Sequence, residues 1–172
     1  MKIAISGGAS QGKSTLVRAL ESDTDFTGYN FFTNLTRNLN QKGIPINENG
    51  TAVTQLYVML NHYERLQYEG NAVLDRCALD GLAYSMYFFD KIEQPERVVI
   101  TKLFELMIRK YDKIFYITPE LPLVNDGERS TNQDFFNIVN KNFEAIIVNY
   151  KVKVTRLSGT VNERIQQIKN NL

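Results

Sequence analysis

Hydrophobic and polar positions follow two alternating rhythms along this chain. Lys2-Ile3-Ala4-Ile5-Ser6 is a short, apolar, β-prone run of the kind that forms a buried parallel strand. A glycine loop follows, and then Leu16, Val17 and Leu20 recur at helical spacing. A second strand is predicted near Tyr29 to Phe32. A short helix over Leu35 to Lys42 stops at Gly43, with Pro45 just beyond. From Ala52 to Glu69, Val53, Leu56, Tyr57, Leu60 and Tyr63 form a helical stripe, and Gly70 ends it. Asn71 to Asp75 reads as a strand ending in a carboxylate, and Asp80 to Phe89 and Glu96 to Lys110 as two further helices. Lys113 to Thr118 is the clearest strand. Pro119 to Asn132 is polar and reads as a loop. Asp134 to Tyr150 is strongly amphipathic, with Phe135, Val139, Phe143, Ile146, Ile147 and Tyr150 along one side. Lys151 to Leu157 alternates apolar and basic residues, as a strand nearer a sheet edge does. Val161, Ile165, Ile168 and Leu172 place a last helix.

Strands alternating with helices imply an α/β fold, a parallel sheet covered on both faces. Ligands of such sheets bind beyond the carboxyl ends of the strands. The glycine loop and Asp75 both fall at such ends. Neither a repeat nor a linker divides the chain, so residues 1–172 are expected to form one domain, as suits this length. Hydrophobic residues at 43% and charged residues at 23% exclude a fully disordered chain. The formal net charge of +1 gives no global support for binding nucleic acid or an anionic membrane. Cys77 is the single cysteine, which excludes an internal disulfide framework and a multi-cysteine zinc site. No run approaches the roughly 18 apolar residues of a membrane span. The opening apolar stretch is too short for a signal peptide, so a soluble, cytoplasmic protein is expected.

Gly7-Gly8-Ala9-Ser10-Gln11-Gly12-Lys13-Ser14 matches G-x-x-x-x-G-K-[ST] at every defined position. Glycines let the backbone curl so that its N–H groups face phosphate oxygens, and the helix that follows adds the positive end of its dipole. Lys13 would reach the β- and γ-phosphates, and the Ser14 hydroxyl would bind Mg²⁺. The nucleotide-binding set extends through Thr15. A chance match arises in about one chain in two hundred of this length, and here the match also lies between a strand and a helix. The expected ligand is ATP with Mg²⁺.

Asp75 closes a strand and Arg76 follows it. A carboxylate there can hold the metal or accept a proton from an attacking hydroxyl, and the arginine can neutralise phosphate charge. Asp80 either caps the next helix or faces the substrate. Arg129, in a glycine-containing polar stretch, is placed as the arginine of a lid spanning about residues 119–133. Arg37, on the early short helix, is a candidate clamp for an acceptor phosphate or sugar. His62, the only histidine, has no accompanying ligand set, and Cys77 reads as a buried inert thiol. Asn140-Lys141-Asn142-Phe143 departs from the guanine motif of GTPases at its acidic position.

Together these features resemble the small P-loop kinases of the nucleoside and nucleotide kinase group. Nicotinamide-riboside-kinase-like and thymidylate-kinase-like AAA-domain proteins of the phage type are the most similar. The resemblance rests on Gly7 to Ser14, on Thr36-Arg37 with Gly43-Ile44-Pro45-Ile46-Asn47, on Leu74-Asp75-Arg76 with Leu79-Asp80, and on Asp126-Gly127-Glu128-Arg129. Cys77 stands where those kinases often carry serine or a bulkier residue. The resemblance implies a three-layer fold with a five-stranded parallel sheet and a short lid. It also implies phosphoryl transfer from ATP to a nucleoside or nucleotide acceptor, with Lys13, Asp75, Arg76 and Arg129 catalytic. Arg37, Asp75 and Asp80 would bind the acceptor, and Ser14 and Asp75 the metal. It leaves open an acceptor within DNA, either a modified base (hydroxymethyluracil) or an end, and a homodimer. A switch that binds or hydrolyses NTP without an acceptor is the non-kinase alternative.

Overall fold

The computed structural model describes residues 1–120 and 132–172. Its centre is a sheet of five parallel strands: β1 (Lys2–Gly7), β2 (Asn30–Phe32), β3 (Ala72–Asp75), β4 (Lys113–Ile117) and β5 (Thr155–Leu157). They lie in the order β2-β3-β1-β4-β5. The helices are α1 (Lys13–Glu21), α2 (Leu35–Gln41), α3 (Ala52–Leu66), α4 (Ala78–Met86), α5 (Gln94–Ile108), α6 (Gln133–Asn149) and α7 (Val161–Lys169). None of them is long and apolar enough to cross a membrane.

Strand side chains alternate between the two faces, and the core divides accordingly. Ile3 and Ile5 of β1 pack with Leu16, Val17 and Leu20 of α1, with Phe115, Leu157 and Ile168. Ala4 points the other way, with Leu74 and Tyr116, against Met59, Leu79, Phe104 and Phe143 from α3, α4, α5 and α6. Three layers follow directly from this period of two.

Most elements lie where the sequence places them. The two short strands, β2 and β5, occupy the edges, but β5 is confined to Thr155–Leu157, the residues that pair with Phe115–Ile117, while Lys151, at φ 51°, belongs to the turn that closes the sixth helix. Tyr150, expected along the buried side of the sixth helix, caps it and is exposed; Leu172 lies beyond the end of α7 and is exposed too.

The larger difference is in α3. It ends at Leu66, and its buried side is Thr54, Gln55, Met59, His62 and Leu66. Val53 is 73% exposed and Leu60 54%. Of the expected stripe, Val53, Tyr57 and Leu60 are exposed while Leu56 and Tyr63 pack against the core, and Thr54, Gln55 and His62 face inward beside Met59 and Leu66. Thr51 and Thr54 form a reciprocal capping box that fixes where the helix starts.

Candidate phosphate site and acceptor cleft

The loop between β1 and α1 is shaped by its neighbours. Gly7 has φ 141°, and a Cβ there would stand 2.8 Å from the Ile117 carbonyl oxygen on β4. Gly12 caps α1 with φ 79° and offers no side chain to its N–H groups. No acidic residue stands in the first turn, so the helix presents its positive end to an anion. Lys13 is buried, and its ammonium donates to the carbonyl oxygens of Gly7 (2.6 Å) and Gly8.

One residue from a distant helix is bonded to this loop and another packs against it. Arg164 of α7, only 3% exposed, donates to the Gln11 carbonyl at 2.8 Å and pairs with Glu120 at 3.3 Å. Glu120 in turn accepts from the Gly159 N–H at 3.0 Å, and its own N–H donates to Gln11 Oε1 at 2.8 Å. The loop is therefore tied to the segments that follow β4 and β5. Asn140 of α6 lies against Gly8, where an added Cβ would meet Asn140 Oδ1 at 2.4 Å. The stripe Val161, Ile165, Ile168 carries Arg164 at helical spacing, and an arginine in register with apolar residues is the signal that could have revealed it.

Asp75 sits beside the loop because β3 pairs with β1, with Asp75 opposite Ile5. Its carboxylate is buried; Oδ2 accepts from the Ser14 hydroxyl at 3.1 Å, while Oδ1 has no hydrogen-bond partner. Arg76 adopts φ 74°, a left-handed conformation rare outside glycine, while its N–H still donates to the Ile5 carbonyl at 3.0 Å. That turn ends the strand and sends the guanidinium toward Asp80 (3.5 Å) and across the Tyr84 ring at 5.3 Å.

Asp80 is in the capping position. It accepts from the Cys77 N–H at 3.0 Å, completing the capping box of α4. It also accepts from the Ser6 hydroxyl at 2.7 Å and the Gly7 N–H at 3.4 Å. Burial raises its pKa, while Arg76, Lys13, Ser6 and Cys77 act to lower it. It is thereby a strut between α4 and the phosphate loop. Burial likewise raises the Cys77 thiol, which fits an inert sulfur.

Two contiguous clefts open from these groups. One, with about 650 Å³ of empty space, is lined by Ala9, Ser14, Arg37, Asn40, Asp75 and Arg76. Arg37 therefore shares this cleft with Ala9 and Ser14 of the phosphate loop. The second, of about 520 Å³, lies between α2, α3 and α4, and includes Gln55, Val58, His62, Gly81 and Tyr84. Arg76, Leu35, Thr36, Ile46 and Asn47 line both. The sequence pattern does not mark Gln55, whose helix is expected to bury its apolar stripe, and it sets His62 aside for want of an accompanying ligand set. Arg129, Asp126 and Glu128, with nearly all of the expected lid, lie outside the described residues.

Among the described residues no group of three or more His, Cys, Asp or Glu side chains could enclose a metal. The Ser14 hydroxyl beside an unpartnered Asp75 oxygen nevertheless fits Mg²⁺, which is usually held by one or two protein groups together with water and substrate phosphates.

The parallel sheet, the glycine loop at its central strand and the carboxylate on the adjacent strand define a P-loop protein with the fold of nucleoside kinases. Residues 2–164 match the family described as AAA domain, and the chain belongs to that family. Solved structures share the fold. The NadR protein in complex with NR superposes with a TM-score of 0.77 at 18% identity, over 98% of this chain and 50% of that one. Deoxyadenosine kinase from M. mycoides, with dCMP and a flexible dCDP bound, gives 0.71 at 18% identity, over 99% and 97%. The YorR protein of Bacillus subtilis, in complex with phosphorylated GDP, gives 0.57 at 14% identity, over 99% and 95%. The chain thus spans half the length of NadR and nearly all of the other two. No curated protein matches it.

Proposed function

We propose that the protein transfers a phosphoryl group from ATP to a hydroxyl of a small nucleoside or nucleotide. The observation that carries this reading is the meeting of two sites: the Ser14–Asp75 pair at 3.1 Å stands where the phosphate loop opens onto the acceptor clefts. The clefts are bounded by helices on several sides, which suits a small acceptor better than a polymer. Similar folds hold NR in NadR and dCMP in the M. mycoides kinase, which supports the same acceptor class here.

In this mechanism Lys13 exchanges the Gly7 and Gly8 carbonyls for the β- and γ-phosphates when ATP binds. The backbone N–H groups of the loop and the first turn of α1 orient the chain of phosphates. Asp75 would accept the proton of the attacking hydroxyl or, with Ser14, would hold Mg²⁺, which when bound would supply positive charge to neutralise the phosphates. Arg76 lies close enough to both clefts to balance charge as it moves to the acceptor. Arg37 would steady the acceptor from α2.

The test is transfer from labelled ATP to a panel of nucleosides and monophosphates. We expect transfer with wild-type protein and none with Lys13→Ala. Binding of ATP without transfer to any member would favour a nucleotide-dependent switch instead.

A further inference from the structure

The floor of the second cleft holds a side chain that the mechanism above does not use. His62 is completely buried, and neither ring nitrogen has a hydrogen-bond partner. Burial of an unsatisfied polar group costs about 1–3 kcal/mol, and two on one ring need a reason. The ring borders a cleft rather than a packed interior: Val58, Gly81 and Tyr84 share its lining. On α4, a Cβ at Gly81 would meet Met59 Sδ at 2.4 Å and His62 Cδ2 at 3.4 Å, so the absent side chain lets α4 close over the ring. Gln55, about two turns away on the same face, is already fastened, its Oε1 accepting from Ser85 at 3.3 Å.

We propose that His62 is a specificity residue that hydrogen-bonds the head group of the acceptor, and that this head group is a neutral heterocycle with its own donor and acceptor, a nucleobase, rather than a cationic pyridinium. The inference rests on the kinase reading and narrows its acceptor class. A neutral imidazole carries an N–H on one nitrogen and a lone pair on the other, pointing apart, so either one can meet its complement on a base edge that holds both a donor and an acceptor. The charged groups around the ring are Arg65 on its own helix, with Arg76 and Asp80 beside α4. Asp80 is already engaged by Ser6, Cys77 and Arg76. Burial, then the charges of Arg65 and Arg76, lower the His62 pKa to about 3, so the ring stays neutral. In the cleft's lining a pyridinium would meet the Arg76 guanidinium and no carboxylate other than the engaged Asp80.

His62 is the only histidine, so ¹⁵N-histidine labelling of the full chain reports on this ring alone. Deoxynucleosides and nicotinamide riboside are titrated into the labelled protein, and transfer from labelled ATP is measured in parallel. We expect at least one deoxynucleoside to shift the ring nitrogens as a hydrogen bond forms, and nicotinamide riboside to leave them unmoved. His62→Leu should raise KM for that nucleoside by about tenfold or more, the loss of one hydrogen bond, with kcat nearly unchanged. His62→Gln, which keeps a donor and an acceptor, should recover part of it. Unchanged ring signals at saturating nucleoside, an unchanged KM in His62→Leu, or equal use of nicotinamide riboside overturns the inference. Nucleoside binding that shifts the ring without any transfer leaves His62 as a base reader and removes the kinase reading instead. Should His62→Leu fail to fold, the ring shifts in wild-type protein decide alone.

Discussion

His62 also gives the protein an acid sensitivity whose size follows from its surroundings. In the unfolded chain the ring titrates near 6.5; in the folded protein burial, followed by the charges of Arg65 and Arg76, lowers its pKa to about 3. Below the unfolded value the unfolded state binds a proton that the folded state does not, so stability falls as pH falls. Linkage gives a loss of about 1.4 kcal/mol at about pH 5.5 and about 2 kcal/mol at about pH 5, levelling off near the folded value. Carboxylates titrate in the same acid range, so the curve of wild-type protein alone is not diagnostic. His62→Gln removes this one titration and leaves the others in place. The assay is urea unfolding of both proteins at steps between about pH 7.5 and about pH 5, read as the difference between their stabilities. Whatever its value at neutral pH, that difference should move by about 2 kcal/mol in favour of the variant at the acid end. A difference that stays constant across the range refutes the reasoning, since it means that the folded ring takes up its proton as readily as the unfolded one.

Asp75→Asn keeps the contact with Ser14 but removes the base and the charge; transfer should fall by about two to four orders of magnitude, with the circular dichroism spectrum unchanged. Arg164→Met keeps an apolar stem in α7 and loses the bond to the Gln11 carbonyl; ATP affinity by titration calorimetry should weaken by about tenfold although the residue touches no nucleotide. Phe104→Ala empties a fully buried site on α5, and chemical unfolding should show a loss of about 3–5 kcal/mol.

The parts of the molecule legible in its sequence are those whose signal is local. The phosphate loop is a run of eight residues, and Asp75 ends a short apolar strand; their meeting needed only the pairing of β3 with β1, which places Asp75 opposite Ile5. The long helix α6 was legible for the same reason, since Phe135, Val139, Phe143 and Ile146 are both periodic and buried. The face of α3 was not. Hydrophobicity points to Val53 and Leu60, yet Thr54, Gln55 and His62 face inward. A helix that lines a cleft carries polar groups on its inner side, and periodicity alone then selects the wrong face. Arg164 was hidden differently: its partners, Gln11 and Glu120, lie 153 and 44 residues away in the chain, and no local pattern announces them.

The conformation of Arg76 explains how two neighbouring residues come to act in adjacent clefts. In a continuing strand, Asp75 and Arg76 would project to opposite faces of the sheet, and one of them would be lost to the site. The left-handed turn at Arg76 changes that. Its N–H stays bonded to β1, so the strand end is fixed, while the rotated backbone carries the guanidinium over Tyr84 and toward the Asp80 strut. Asp75 is left facing Ser14. Such a conformation costs a non-glycine residue about 1 kcal/mol or more, and here the capping box of α4, closed by Cys77 and Asp80 immediately after the turn, offsets it. Asp80 thereby does three things through one carboxylate: it starts α4, braces Ser6 and Gly7 at the phosphate loop, and holds Arg76 between the clefts. Asp80 thus links the phosphate loop to Arg76, which lines both clefts.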